Sequence, residues 1–66
     1  MTSKAKNLVK TLTALRASLQ YSFNTHQALR LIEFAHELSR CRSAEKMLKD
    51  AWLREANGVA FKLSSQ

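Results

Sequence analysis

"HQALRLIEFAHELSRCRSAEKMLKDAW", residues 26–52, decides the fold, because its apolar side chains change phase partway along. In the first part, Ala28, Leu29, Leu31, Ile32, Phe34, Ala35 and Leu38 recur at helical spacing. At about 100° per residue they cover more than half of the helix circumference, and His26, Arg30, Glu33, Glu37 and Arg40 fill the rest. A helix so broadly apolar needs cover on two sides, which marks it as the central one. In the second part Ala44, Met47, Leu48, Ala51 and Trp52 share one face, with Glu55 near its end. Continued as a single helix from 25 to 57, that face would be turned by roughly half a circle from the first. The spacing therefore predicts a bend at 39–43, "SRCRS", with Ser43 as the cap of the helix that follows and Glu45 in its first turn. No Gly or Pro marks the bend, so one long helix showing different faces to different neighbours is the other solution.

Working outward, residues 3–21 place Ala5, Leu8, Leu12, Leu15 and Leu19 at steps of three and four, a narrow stripe that Val9 widens. Lys6, Lys10, Ala14 and Ser18 lie opposite, and Thr2 or Ser3 can cap the start. In "SFNTHQ", residues 22–27, Asn24 reads as an N-cap with Gln27 at N3, and Phe23 can staple onto Ala28. Beyond Trp52, "EANG" reads as a helix end with Gly58 just past it. "VAFKL" then alternates Val59, Phe61 and Leu63 with Ala60 and Lys62, which predicts a short extended C-terminal tail. The expectation is an all-α single domain, 1–66, of two to three amphipathic helices at about 3–21, 25–40 and 44–57, forming a helical hairpin or small bundle.

A chain of 66 residues makes a marginal monomer. One cysteine forms no internal disulfide, and two histidines with it lack zinc-site spacing, so no metal or cofactor is expected. Association is the remaining reinforcement, and a homodimer is the expectation. No apolar run approaches ~20 residues, so no membrane span is expected, and no secretory h-region is visible. The basic, acid-free stretch 1–22 has the look of a mitochondrial transit peptide, but its removal would take away a third of the core. A lone cysteine suits a reducing cytoplasm, the expected location.

The net charge of +6 is uneven: residues 1–32 hold Lys4, Lys6, Lys10, Arg16 and Arg30 and no acid, whereas 33–66 hold six basic and five acidic side chains. Catalysis finds little support. Cys41 and His36 are five apart on one helix and point about 140° apart. No phosphate loop, paired carboxylates or oxyanion turn is visible, so the chain is expected not to be an enzyme, with His26 and His36 facing solvent. Nucleic-acid binding is the alternative reading, because a basic first helix with Lys6 and Lys10 is an electrostatic footprint. A helix-turn-helix can be laid over 31–50, with Ala35 the small residue and Ser39 at the turn, and Lys46 and Lys49 aiding phosphate contact. Against it, Arg40 and Glu45 fall where apolar residues should pack, and Glu45 and Asp50 would face phosphates. Membrane-surface binding by the first helix lacks a Trp or Phe on the apolar face. A protein-interaction module fits the surplus of apolar surface, and its candidate contacts are Trp52, Leu53 and Phe34, with Arg40 and Arg42 fixing orientation.

Residues 26–52 and the basic, leucine-striped helix before them are similar in style to small proteins carried by bacteriophages and plasmids. One such group is the dimeric helical-hairpin copy-number regulators of plasmids, four-helix bundles that bind RNA. The chain resembles more the small phage-encoded quorum-sensing anti-activators of Pseudomonas phages, in length, helical content and apolar surplus. That resemblance carries no residue roles. It implies a compact helical dimer in the host cytoplasm that binds and inhibits a host protein, such as a transcription activator or a pilus-assembly ATPase.

Overall fold

The computed structural model describes Met1–Gln66 and contains three helices: α1 (Ser3–Tyr21), α2 (Thr25–Ser39) and α3 (Lys46–Ser64). The all-α expectation holds. Two helix starts are fixed by the caps their sequences offered. The Thr2 hydroxyl accepts from the Ala5 N–H (3.3 Å), and the Asn24 side-chain oxygen accepts from the Gln27 N–H (3.0 Å). Gln27 does not close a capping box. Its Oε1 instead accepts a 2.6 Å hydrogen bond from Ser18 Oγ, tying α2 to α1.

The chain bends at "SRCRS", as the phase change requires. Arg40 ends α2, and residues 40–45 form the corner. Ser43 does not cap α3; Glu45 holds that position without a side-chain cap bond. The Ser43 hydroxyl lies 3.1 Å from that of Thr2, so the corner is fastened to the start of α1. Buried Ala44 anchors the corner inward, and Lys49 Nζ closes it from α3 by donating to the Cys41 carbonyl at 2.9 Å.

At about 1.5 Å per residue, the 19-residue α1 and α3 are each close to 28 Å long. The molecule measures 35 × 17 × 14 Å, so both must run along its long axis. Short connections then make the arrangement up-down-up, with α1 and α3 both packed on α2. No Cα of α1 comes within 8 Å of one in α3. Those two helices meet through Arg16, which pairs with Glu55 (3.3 Å) and lies over the Trp52 ring, while Lys62 of α3 lies over the ring of Phe23 in the connection between α1 and α2. Five leucines, five alanines and Trp52 make up the buried core, with Leu12, Leu31 and Leu38 fully enclosed.

The extended tail is not present. Helix α3 continues through Gly58 to Ser64. Gly58 does not take a positive φ, so it is no helix stop. The physical reason lies in burial. Leu48, Trp52, Ala56, Val59 and Leu63 recur at steps of four and three and form one inward stripe that crosses the glycine. Packing along that stripe outweighs the roughly 1 kcal/mol preference of a mid-helix glycine for other conformations. Phe61, the middle member of the apparent alternation, is left 74% exposed. Met47 also departs from its expected inner face: five residues before Trp52, it points about 140° away and is 81% exposed.

Candidate interaction surface

Contacts between helices fix which flank of each faces which neighbour. On α2, Gln27 bonds Ser18 and Glu37 pairs with Lys4 (3.6 Å), so these mark the side toward α1. On α3, Glu55 marks the side toward α1 through Arg16, and Lys62 the same side through Phe23 of the α1–α2 connection. At about 100° per residue, Leu29 and Ile32 lie toward the other flank of α2, and Leu53 and Ala60 on the other flank of α3. Both flanks border the outer groove between α2 and α3. Leu29 is 49% exposed, and Ile32, Leu53 and Ala60 are half-buried. Phe61 stands outward beside Ala60. Leu29, Ile32, Leu53 and Ala60 border that groove away from the corner, whereas Phe61, nine residues after Trp52, points away from the bundle on the back of α3. The corner and the start of α3 carry Arg40, Arg42, Lys46 and Lys49. Residues 40–50 thus carry four cations against two acids, Glu45 and Asp50.

Trp52 does not belong to this surface. It is 5% exposed and forms the centre of α3's inward stripe, with the Arg16 guanidinium 5.0 Å from its ring centroid. The expectation that it contacts a partner is corrected: a helix bent at 40–45 turns the face carrying Trp52 onto α2. Its neighbour Leu53 remains on the outer flank. Phe34 is half-buried on the α1-facing flank of α2, with Arg30 Cζ 5.9 Å from its ring centroid. Phe34 and Leu53 therefore do not form one patch. Arg40 and Arg42 are exposed at the corner. Leu29 and Ile32 stood in the broad arc of α2, but Ala60 and Phe61 were hidden by the strand-like reading of the tail. Their helical register with Leu53 was the signal for them.

The lysines of the nucleic-acid reading divide. Lys6 and Lys10 are exposed on the outward face of α1 and form no ion pair, whereas Lys4 and Arg16 are engaged by Glu37 and Glu55. Lys46 is exposed, and Lys49 is half-buried on the α2-facing flank of α3. The two pairs occupy different sides of the bundle. A helix-turn-helix crosses its helices at about 90–120°. Here α2 and α3 lie antiparallel, since a body 17 × 14 Å across has no room for a crosswise α3.

His26 and His36 are exposed, as expected, and Cys41 Sγ is directed at the Glu37 carbonyl (3.6 Å) rather than at a base. No three His, Cys, Asp or Glu side chains gather as metal ligands would. A cleft of about 110 Å³ opens where Arg16, Leu19, Phe23, Val59 and Lys62 converge. It is well short of the roughly 300–1,000 Å³ usual for a small-molecule site, while a second, more open concavity of about 370 Å³ lies on α2 over Ile32, Glu33, His36 and Arg40. Comparison with protein-family models, with curated proteins and with solved structures finds no match to this chain.

Proposed function

We propose that this chain is a small non-enzymatic regulatory protein that docks on a protein of its host cell, in the cytoplasm, and inhibits it. The observation that carries the reading is the apolar surface left on the outside of a bundle whose core is only eleven residues: exposed Leu29 on α2 and Phe61 on the back of α3, with half-buried Ile32, Leu53 and Ala60 between them. Exposed aromatic and aliphatic groups gathered on rigid helices supply the desolvated centre from which protein interfaces draw most of their energy. Inhibition would follow by occluding a functional surface of the target or by holding it in an inactive state. A transcription activator or a machine ATPase is the kind of target that the resemblance to phage anti-activators suggests. The small core also favours self-association of the chain, which sedimentation at micromolar concentration checks directly.

The test is affinity capture followed by an activity assay. The wild-type chain should retain a stoichiometric protein whose activity falls on addition of the pure bundle, and the Leu29→Ser/Phe61→Ser variant should do neither. Recovery of nucleic acid with no stoichiometric protein would overturn the reading. The unpaired Lys6 and Lys10 favour a second reading, nucleic-acid binding by α1. It requires affinity that falls steeply with salt and is lost in Lys6→Glu/Lys10→Glu.

A further inference from the structure

Helix α3 carries on its back a strip that the bundle does not use. Counted from Trp52 at about 100° per residue, Met47, Asp50, Arg54, Asn57 and Phe61 lie within about 40° of the opposite direction, and all five are exposed. Met47 and Phe61 stand two heptads apart, about 21 Å along the helix, with Arg54 midway between them. The charges within this arc are Asp50 and Arg54, one of each sign. Neither is paired inside the chain, whose ion pairs are Lys4–Glu37 and Arg16–Glu55. Gly58 borders the same strip and is exposed. A Cβ there would meet nothing within 4 Å and the backbone takes no positive φ, so nothing inside the chain calls for a glycine where alanine is the better helix former.

We infer that this strip is the face through which two copies of the chain pair, α3 against α3 in antiparallel order about a two-fold axis. Such a contact needs a self-complementary patch, and this one qualifies. With the axis level with residues 52–53, Asp50 of each copy comes beside Arg54 of the other. Met47 of each copy is then seated between Gly58 and Phe61 of the other. The glycine acquires a reason: lacking a side chain, it lets the helices approach and leaves room for the flexible methionine. Parallel order would set Asp50 against Asp50 and Arg54 against Arg54, so the charges select the antiparallel one.

A second copy suits the strip better than other occupants. The chain carries +6, so two copies repel except where charge is locally balanced, and here it is. A nucleic-acid backbone would leave Met47 and Phe61 uncovered and would meet Asp50. A core of eleven residues also gains by adding apolar surface to it. One helix-on-helix contact falls below the roughly 1,200 Å² of a standard interface, so the expected dissociation constant is about 10–100 μM. At the lower concentrations of a melting curve the chain is a monomer. Phe61 also belongs to the surface proposed for the host protein, so that protein and the second copy compete for it, and a weak pair yields to a tighter target.

Sedimentation equilibrium of the intact chain from about 5 to 500 μM tests the pairing. The parent should pass from monomer to dimer within that range. Pairing should weaken about ten-fold or more in Phe61→Ser and about three-fold or more in Gly58→Ala. Asp50→Arg and Arg54→Asp should each be monomeric alone, because like charges then face each other across the axis. An equimolar mixture of those two variants should form a heterodimer at least as tight as the parent dimer, and that rescue excludes misfolding as the cause. In a Cys41→Ser background, oxidation should join Met47→Cys copies to Gly58→Cys copies in preference to either with itself.

A parent chain still monomeric at the highest concentration would overturn the inference. So would a dimer indifferent to Phe61→Ser or to Gly58→Ala, a mixture of the charge variants that stays monomeric, or a preference of Met47→Cys copies for each other. The docking reading fails separately. Loss of the captured host protein in Phe61→Ser, from a chain that never dimerises, would overturn the pairing and leave the docking in place.

Discussion

Trp52 and Phe61 are aromatic residues of the same helix, nine positions apart, and they face opposite ways. Trp52 is 5% exposed, against α2 and beneath the Arg16 guanidinium; Phe61 is 74% exposed, on the outward side of α3. Nine steps at about 100° amount to half a turn beyond whole turns, so helical geometry alone forces the opposition once α3 is continuous. The difference teaches that α3 has two separable surfaces. Its inward stripe of Leu48, Trp52, Ala56, Val59 and Leu63 holds the bundle together. On its outward side Phe61 is exposed, while Leu53 and Ala60 are half-buried at the edge of the packed face.

The hardest test of that division is Trp52→Ala. Truncating a buried aromatic costs about 3–5 kcal/mol. A domain of this size has about 3–10 kcal/mol of total stability, at 0.05–0.15 kcal/mol per residue. The variant should lose its cooperative thermal transition or melt far below the parent, followed by circular dichroism at 222 nm. A melt within a few degrees of the parent would mean that Trp52 is not the centre of the core and that the two faces of α3 are not distinct.

Most of the inward surface was legible in the sequence, and the outward one was not, for physical reasons. The starts of α1 and α2 could be read because Thr2 and Asn24 act within three residues of themselves, and local hydrogen bonds leave local signatures. The corner could be read from the phase change alone. The free flank of α2 could not. An apolar arc wider than half a circle tells that two neighbours will cover it, not where they stop. That boundary is set by Ser18 reaching Gln27 and Lys4 reaching Glu37, pairs separated by nine and thirty-three positions. The end of α3 failed differently. Val59 and Leu63 belong equally to a period of two and to a helical stripe, and Gly58 tipped the reading toward a stop that the packing overrides.

Gly58 provides the next test, because it tells whether the continuous α3 is as stable as the comparison requires. A Cβ built there meets nothing within 4 Å, and the backbone needs no positive φ. Gly58→Ala should therefore stabilise by about 0.5–1 kcal/mol. At about 4–8 °C per kcal/mol for a domain of this size, the melting temperature should rise by about 2–8 °C. A fall would mean that residues 59–64 leave the helix in solution, and with them the outward placement of Phe61.

A smaller effect probes what joins the inward stripe to α1. Arg16 and Glu55 pair at 3.3 Å, but their side chains are 44% and 45% exposed. Solvent screening limits such a pair to roughly 0–1 kcal/mol. Glu55→Gln should lower stability by no more than about 0.5 kcal/mol, with a double-mutant cycle against Arg16→Gln giving a coupling that shrinks in high salt. A coupling well above about 1 kcal/mol would place the α1–α3 junction among the main supports of the fold, alongside the stripe itself.

Phe61→Ser should have the least effect on folding, within about 0.5 kcal/mol of the parent, because an exposed side chain gives up little buried area. Its effect on binding should be large, and that contrast with Trp52→Ala is the sharpest form of the comparison. One aromatic removed from the inner face should abolish the fold and binding together. One removed from the outer face should abolish binding of the partner while the melting curve stays put. Equal loss of stability from both would show that Phe61 is covered in solution even without a partner, which the self-associated state of this chain would explain. Sedimentation of the Phe61→Ser variant then decides between the two. A shift from dimer to monomer that tracks the loss of stability would identify the covering surface as a second copy, and an unchanged mass would leave the outward flank to another protein.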